Sequence, residues 1–146
     1  MMNLISENEK SYTLTTANST IYDELVEKKE IFDSKYHLFA LGLVYGILND
    51  KKSSKSKKHD LIKIRVITDT KIRECIDFCY MILKDEREDR EVFNEMLEYA
   101  DGGVEEIYQN FEQNGSLMLT SMIQDSKKRW SKVIPKLKNI NLEELD

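Results

Sequence analysis

Apolar residues along the chain recur mostly at three- and four-residue intervals, the spacing of helices that bury one face. The densest run is Phe32-Asp33-Ser34-Lys35-Tyr36-His37-Leu38-Phe39-Ala40-Leu41-Gly42-Leu43-Val44-Tyr45-Gly46-Ile47-Leu48. Asp33 or Ser34 caps it, and it is apolar on nearly every side, the pattern of a helix enclosed by other elements. It is expected to be the central helix. Gly42 and Gly46 lie one turn apart. Each costs about 1 kcal/mol relative to alanine inside a helix, so close approach of another backbone is the expected compensation.

Residues 1–18 are polar and weakly patterned and read as a flexible segment, although Tyr12, Leu14 and Thr16 alternate as in a short extended stretch. Ser19 or Thr20 caps a first helix over residues 21–30, with Ile21 and Leu25 on its apolar face and Asp23 complementing its dipole. After the central helix, Lys51-Lys52-Ser53-Ser54-Lys55-Ser56-Lys57-Lys58 reads as a solvated low-complexity loop. Residues 61–67 alternate with a period of two, which predicts one short β-strand. A single strand needs a partner, either the stretch near Tyr12 or a second subunit, unless the segment is a non-strand arm.

Thr68, Asp69 or Thr70 caps a third helix to about residue 84, with Ile72, Cys75, Ile76, Cys79 and Leu83 on one face. Residues 84–90 form a charged break. Val92, Phe93, Met96, Leu97 and Ala100 mark a fourth helix, which Gly102-Gly103 is expected to end in a left-handed conformation. Val104, Ile107, Tyr108 and Phe111 mark a fifth, stopped by Asn114-Gly115. A sixth opens near Ser116 and ends by Pro135. The pattern predicts a mostly α protein, a single compact domain of about six helices around a buried central helix, with one short β-strand or hairpin at residues 61–67. The expected organisation is a flexible segment 1–18, a helical domain 19–137 with a basic loop 50–60, and a polar tail 138–146.

A length of 146 residues suits one domain with an adequate core. A net charge of -5 argues against bulk adhesion to nucleic acid, but the charge is unevenly placed. The start lacks a basic segment followed by an apolar one, so the expected location is cytoplasmic. The longest nearly unbroken apolar run, residues 38–48, falls short of the roughly 20 needed to span a bilayer, and no membrane association is expected. Self-association is compatible with the pattern.

Cys75 and Cys79 fall on the apolar face of the third helix, where cysteine packs as a small hydrophobe. With His37 and His59 the only histidines, no metal set is expected. Neither histidine lies in a recognised nucleophile motif, no phosphate-binding glycine loop or dinucleotide fingerprint is present, and no catalytic residue or cofactor is assigned. Within the acidic region 85–106, Asp85, Glu86, Glu88 and Asp89 are candidates for contact with a protein. Two basic clusters are candidates for DNA. Lys51, Lys52, Lys55, Lys57 and Lys58 form the first, continued by Lys63 and Arg65. Lys127, Lys128, Arg129 and Lys132, around Trp130 and followed by Lys136 and Lys138, form the second. Trp130 is in helical register with Ile123, Val133, Ile134 and Leu137, so it is expected to pack inward.

Taken with the run from Phe32 to Gly46, the box Tyr99-Ala100-Asp101-Gly102-Gly103-Val104 resembles the signature of small proteins associated with DNA-phosphorothioation (Dnd) defence systems in bacteria. Those proteins carry a capped aromatic-rich helix, a basic loop and a Tyr-Ala-Asn-Gly-Gly-Leu box. The acidic Leu83-Lys84-Asp85-Glu86-Arg87-Glu88-Asp89 is also similar, and the resemblance covers about residues 30–112. Asp101, Val104, the longer lysine loop and the additional N-terminal segment depart from it. The resemblance implies a non-enzymatic accessory subunit of an anti-phage or DNA-modification system, with a larger ATPase or nuclease as partner. DNA would be contacted directly or through that partner. A direct DNA-binding regulator using the basic clusters 51–65 and 127–138 is the alternative.

Overall fold

The computed structural model describes residues 12–115. The expected sixth helix, Trp130 and the polar tail 138–146 lie outside the described residues, as do residues 1–11.

Strand β1 (Thr13–Thr16) pairs antiparallel with β2 (His59–Lys63), in the register Thr13 with Lys63, Leu14 with Ile62, Thr15 with Asp60 and Thr16 with His59. The register shifts by a bulge between Leu14 and Thr15. Residues 13–16, within the segment read as flexible, form a paired strand. Tyr12, Leu14 and Thr16 alternate inward and are buried, so one face of the strand belongs to the core. The stretch near Tyr12 is thus the partner that the second strand required. That second strand sits earlier than 61–67, because Ile64–Val66 tightens into a 3-10 turn. The turn buries both Ile64 and Ile67, which strict alternation would place on opposite faces.

Helix α1 (Ser19–Tyr22) runs directly into a π-helical segment, Asp23–Lys28. It starts earlier than expected and without a side-chain cap, because the Asn18 side chain is engaged elsewhere and only its carbonyl accepts from Ile21 and Tyr22. Helix α2 (Lys35–Leu48) is capped by Ser34 and has no exposed residue along its length, although Leu41, Val44, Tyr45 and Leu48 are half-buried. It ends in a Schellman motif: Asp50 N–H donates to the Ile47 carbonyl and Lys51 N–H to the Gly46 carbonyl, with Asp50 left-handed at φ 53°. Helix α3 (Thr70–Leu83) is capped by Asp69, which accepts from Lys71 and Ile72 N–H. The core stripe on α3 is as expected, with Ile76, Cys79 and Leu83 buried and Ile72 and Cys75 half-buried.

Helix α4 (Asp89–Asn114) is continuous, which corrects two expectations at once: Gly102-Gly103 does not stop a helix, and the expected fifth helix is the second half of α4. The reason is tertiary. A Cβ on Gly103 would overlap the Gly42 carbonyl oxygen, and one on Gly46 would overlap the Tyr99 carbonyl oxygen, both under 3.0 Å. The glycines let α2 and α4 cross backbone to backbone, as the pairing of Gly42 with Gly46 led us to expect. Gly115, at φ 70°, ends α4, its N–H donating to Phe111 at 2.8 Å. The described residues thus hold four α-helices and a two-stranded sheet, a mostly helical fold. No helix among them is long and apolar enough to cross a membrane.

Candidate functional site

The lysine loop is exposed, as expected of a solvated segment, yet it lies along α4. Gly102 makes this geometrically feasible, since a Cβ there would meet the Lys51 carbonyl at under 3.0 Å. Ser53 N–H donates to the Glu98 carbonyl at 3.0 Å, and Ser54 Oγ to the Glu98 carboxylate at 2.8 Å. Lys51 pairs with Glu106 at 3.7 Å, Lys52 with Glu95 at 2.8 Å, Lys55 with Glu105 at 3.6 Å and Lys58 with Asp101 at 3.5 Å. Residues 95, 98, 101 and 105 recur every three or four positions and so form one acidic stripe on α4. The loop and the stripe neutralise each other. All five loop lysines assigned to DNA are exposed, and Lys51, Lys52, Lys55 and Lys58 are paired with carboxylates. Lys63 and Arg65 are exposed as well. Lys127, Lys128, Arg129 and Lys132, with Lys136 and Lys138, lie outside the described residues.

The Glu95 carboxyl shows which force prevails in this clasp. Partial burial pushes its pKa up, but hydrogen bonds from Lys52 and Arg87 outweigh that and hold it below the usual glutamate range. A depressed folded pKa contributes stability that is complete above the ordinary value of about 4.3 and lost as pH falls through the lower folded value. The expected result is that the urea midpoint of the parent falls more steeply than that of Glu95→Gln between about pH 5 and pH 3. Parallel profiles for the two proteins would contradict the assignment.

Asp101 is the one carboxylate of the stripe that is fully buried, at 1% exposure. Its Oδ1 accepts from the Thr16 hydroxyl at 2.5 Å and its Oδ2 from Ala17 N–H at 3.2 Å, with Lys58 opposite. Asn18 Nδ2 donates to the Asp101 carbonyl at 3.4 Å and to Glu105 at 3.0 Å, while Lys55 donates to Asn18 Oδ1 at 3.4 Å. The residue that departs from the Asn of the resembled box therefore joins β1, the lysine loop and α4. The Tyr22 hydroxyl is buried without a hydrogen-bond partner among the described residues, and burial together with the Asp101 charge pushes its pKa well up.

The four carboxylates assigned to protein contact lie at the turn between α3 and α4. Arg87 holds Asp85 at 2.9 Å and reaches Glu95 at 3.1 Å. Lys84 holds Asp89 at 2.7 Å, and the Tyr80 hydroxyl also donates to Asp89. Glu86 and Glu88 are exposed. The turn is thus an ordered set of charges rather than a uniformly acidic patch.

His37 has closer neighbours than its sequence context suggested. Ser34 Oγ lies 2.5 Å from His37 Nδ1, and His37 Nε2 lies 3.4 Å from Asp69 Oδ2. Hydroxyl, imidazole and carboxylate in series are the components of an acyl-transfer triad. Here the outer two are committed to helix ends, Ser34 accepting from His37 N–H and Asp69 Oδ1 from Lys71 and Ile72 N–H. The series ties the start of α2 to the start of α3. Sequence spacing missed it because Asp69 arrives from another element. Cys75 and Cys79 are free thiols. The hydrogen bond between them pushes the Cys75 thiol down and the Cys79 thiol up. No group of three or more potential metal ligands converges among the described residues.

An open cleft of about 480 Å³ lies between β1, the lysine loop and the first half of α4. Thr13 and Thr15 line one side, Lys55 and Lys58 another, and Arg90 and Asn94 a third. The Arg90 guanidinium stacks over the Tyr12 ring, 4.4 Å from its centroid, and over Phe93 at 5.7 Å. Sequence spacing puts Arg90 in a charged break and gives it no role, because its aromatic platform comes from a strand far away in the chain. Comparison with protein-family models, with curated proteins and with solved structures finds no match to this chain.

Proposed function

We propose that the protein is a non-enzymatic accessory subunit of a bacterial anti-phage or DNA-modification system of the kind associated with DNA phosphorothioation. It acts by binding a larger ATPase or nuclease. The observation that supports this reading is where the resembling residues meet. The run from Phe32 to Gly46 contributes Gly42 and Gly46, the later box contributes Gly102 and Gly103, and these glycines form a single helix crossing with the lysine loop laid over it. A signature composed of a cap, a crossing and a loop seat is one of shape. Shape of this kind favours a protein that presents surfaces to a partner.

The turn between α3 and α4 is the surface assigned to that partner. Arg87 and Lys84 fix Asp85 and Asp89, and Glu86 and Glu88 remain exposed beside them. Fixed charges of mixed sign favour oriented docking more than raw affinity. Direct binding of DNA by the lysine loop has less support, because four of its lysines already face α4 carboxylates.

The test is affinity purification of the tagged chain from its native host, with mass spectrometry of what co-purifies. The parent is expected to co-purify in a stoichiometric complex, and Glu86→Gln with Glu88→Gln to weaken it while leaving the thermal midpoint unchanged. A purified chain that alone hydrolysed a nucleotide or cut DNA, and lost that activity with one substitution, would overturn the reading.

A further inference from the structure

We propose that the cleft between β1, the lysine loop and α4 binds a nucleotide unit through its phosphate, with Arg90 as the principal anchor. Arg90 makes no ion pair or hydrogen bond among the described residues, although carboxylates are abundant on the same helix. Its guanidinium carbon lies over the Tyr12 ring, 4.4 Å from the centroid, a cation–π contact that limits its motion while its N–H donors make no hydrogen bond among the described residues. A guanidinium so held is suited to bidentate recognition of phosphate. Asn94 follows Arg90 by one helical turn and is exposed on the same wall, so its amide adds donors beside the guanidinium.

The other walls match a tetrahedral anion. Thr13 and Thr15 are two apart on β1, so both hydroxyl-bearing side chains share its outward face and line the cleft. Lys55 and Lys58 also line the cleft, but each is paired with a carboxylate, Glu105 and Asp101 respectively, so they contribute less free charge than Arg90. Those contacts set the positions of the ammonium groups. The single carboxylate on the lining, Glu98, accepts from Ser54 and lies in the field of Lys52. Donor-bearing side chains from β1, the lysine loop and α4 therefore line one cleft, which suits the several oxygens of a phosphate better than the two of a carboxylate.

Size narrows the ligand further. A space of about 480 Å³ far exceeds a bare phosphate ion and falls within the range of small-molecule sites. Leu97 on its lining offers apolar contact to a sugar or base. The chemistry fits a phosphate ester with a nucleotide-sized body, either free or as one unit of a single strand. This inference stands on the cleft alone and does not depend on the accessory role proposed above.

Titration of the full chain, followed by amide NMR, tests it with three probes: inorganic phosphate, a 5′-mononucleotide and a single-stranded DNA oligonucleotide. The expected result is saturable shifts at Thr13, Thr15, Arg90 and Asn94, with the mononucleotide or the oligonucleotide binding more tightly than inorganic phosphate. Saturation by the mononucleotide identifies a free nucleotide as the ligand. Saturation by the oligonucleotide alone, with affinity falling steeply as salt rises, identifies a strand. Arg90→Ala is expected to weaken binding about tenfold or more, as the loss of a charge-assisted bidentate contact. Asn94→Asp, at an exposed helix position, puts a carboxylate into the cleft without touching the core and is expected to weaken binding with an unchanged thermal midpoint. The proposal is overturned by the absence of saturable shifts with all three probes. It is also overturned if inorganic phosphate binds as tightly as the mononucleotide and the oligonucleotide, or if Arg90→Ala and Asn94→Asp bind like the parent.

Discussion

Gly103→Ala is expected to yield no folded protein. The added methyl would sit on the Gly42 carbonyl oxygen and close to the Gly46 backbone nitrogen, and the nearest atoms on both sides are backbone. A flexible side chain yields to an extra methyl, whereas two helix backbones must move apart along their length. Overpacking in a core ordinarily costs about 1–3 kcal/mol. Separating the crossing would add the loss of the contacts on either side of it, within a total stability of about 5–15 kcal/mol. Gly115→Ala is the matching control. No atom of the described residues lies within 4 Å of a Cβ there, and among them the penalty is that of a left-handed residue, about 1–2 kcal/mol. Circular dichroism and solubility separate the two outcomes. A cooperative Gly103→Ala protein with the parent's thermal midpoint would mean that the crossing is looser than described.

Leu43→Asp and Val44→Asp, adjacent on α2, are expected to behave very differently. Leu43 is fully buried, and an aspartate there has no partner, so the substitution strands a charge in the core and abolishes soluble folding. Removing the partner of a buried charge costs about 3–5 kcal/mol. A charge introduced with no partner is at least as costly. Val44 is half-buried, so its replacement can turn a carboxylate toward water. Val44→Asp is expected to fold with a lowered urea midpoint. Equal loss at both positions would show that α2 is as enclosed at Val44 as at Leu43.

The difference between those neighbours marks how far the sequence could be read. An all-round apolar helix reveals enclosure but not which side is thinnest, because that depends on where the other elements stop. Gly42 and Gly46 were legible because two glycines one turn apart weaken a helix unless a second backbone passes close to it. Gly102-Gly103 carried the opposite local meaning, a helix stop, and only the presence of α2 and the loop converts it into a crossing. The lysine loop is solvated as its composition indicated, residues 51–58 being exposed apart from Ser53, but its seat on α4 was not legible, for a similar reason. Its partners lie roughly forty to fifty positions away on α4, at a spacing no local pattern encodes. Arg90 and Asp69 share this character, since the ring beneath the one and the imidazole beside the other come from different elements.

The bond between Thr16 and Asp101 spans 85 positions and gives the molecule a fixed order of completion during synthesis. At about 5–20 residues per second, the ribosome needs roughly 4–17 s to extend the chain from one partner to the other. Through that interval Tyr12 and Leu14 have no finished core to enter, and the loop lysines have no stripe to lie on. Strand β1, made well before α4, is thus among the last of the described elements to lock. A nascent chain halted before position 101 would leave Thr16 and Ala17 without the carboxylate they bond, so that apolar strand would stay open to chaperones and proteases until α4 has been made.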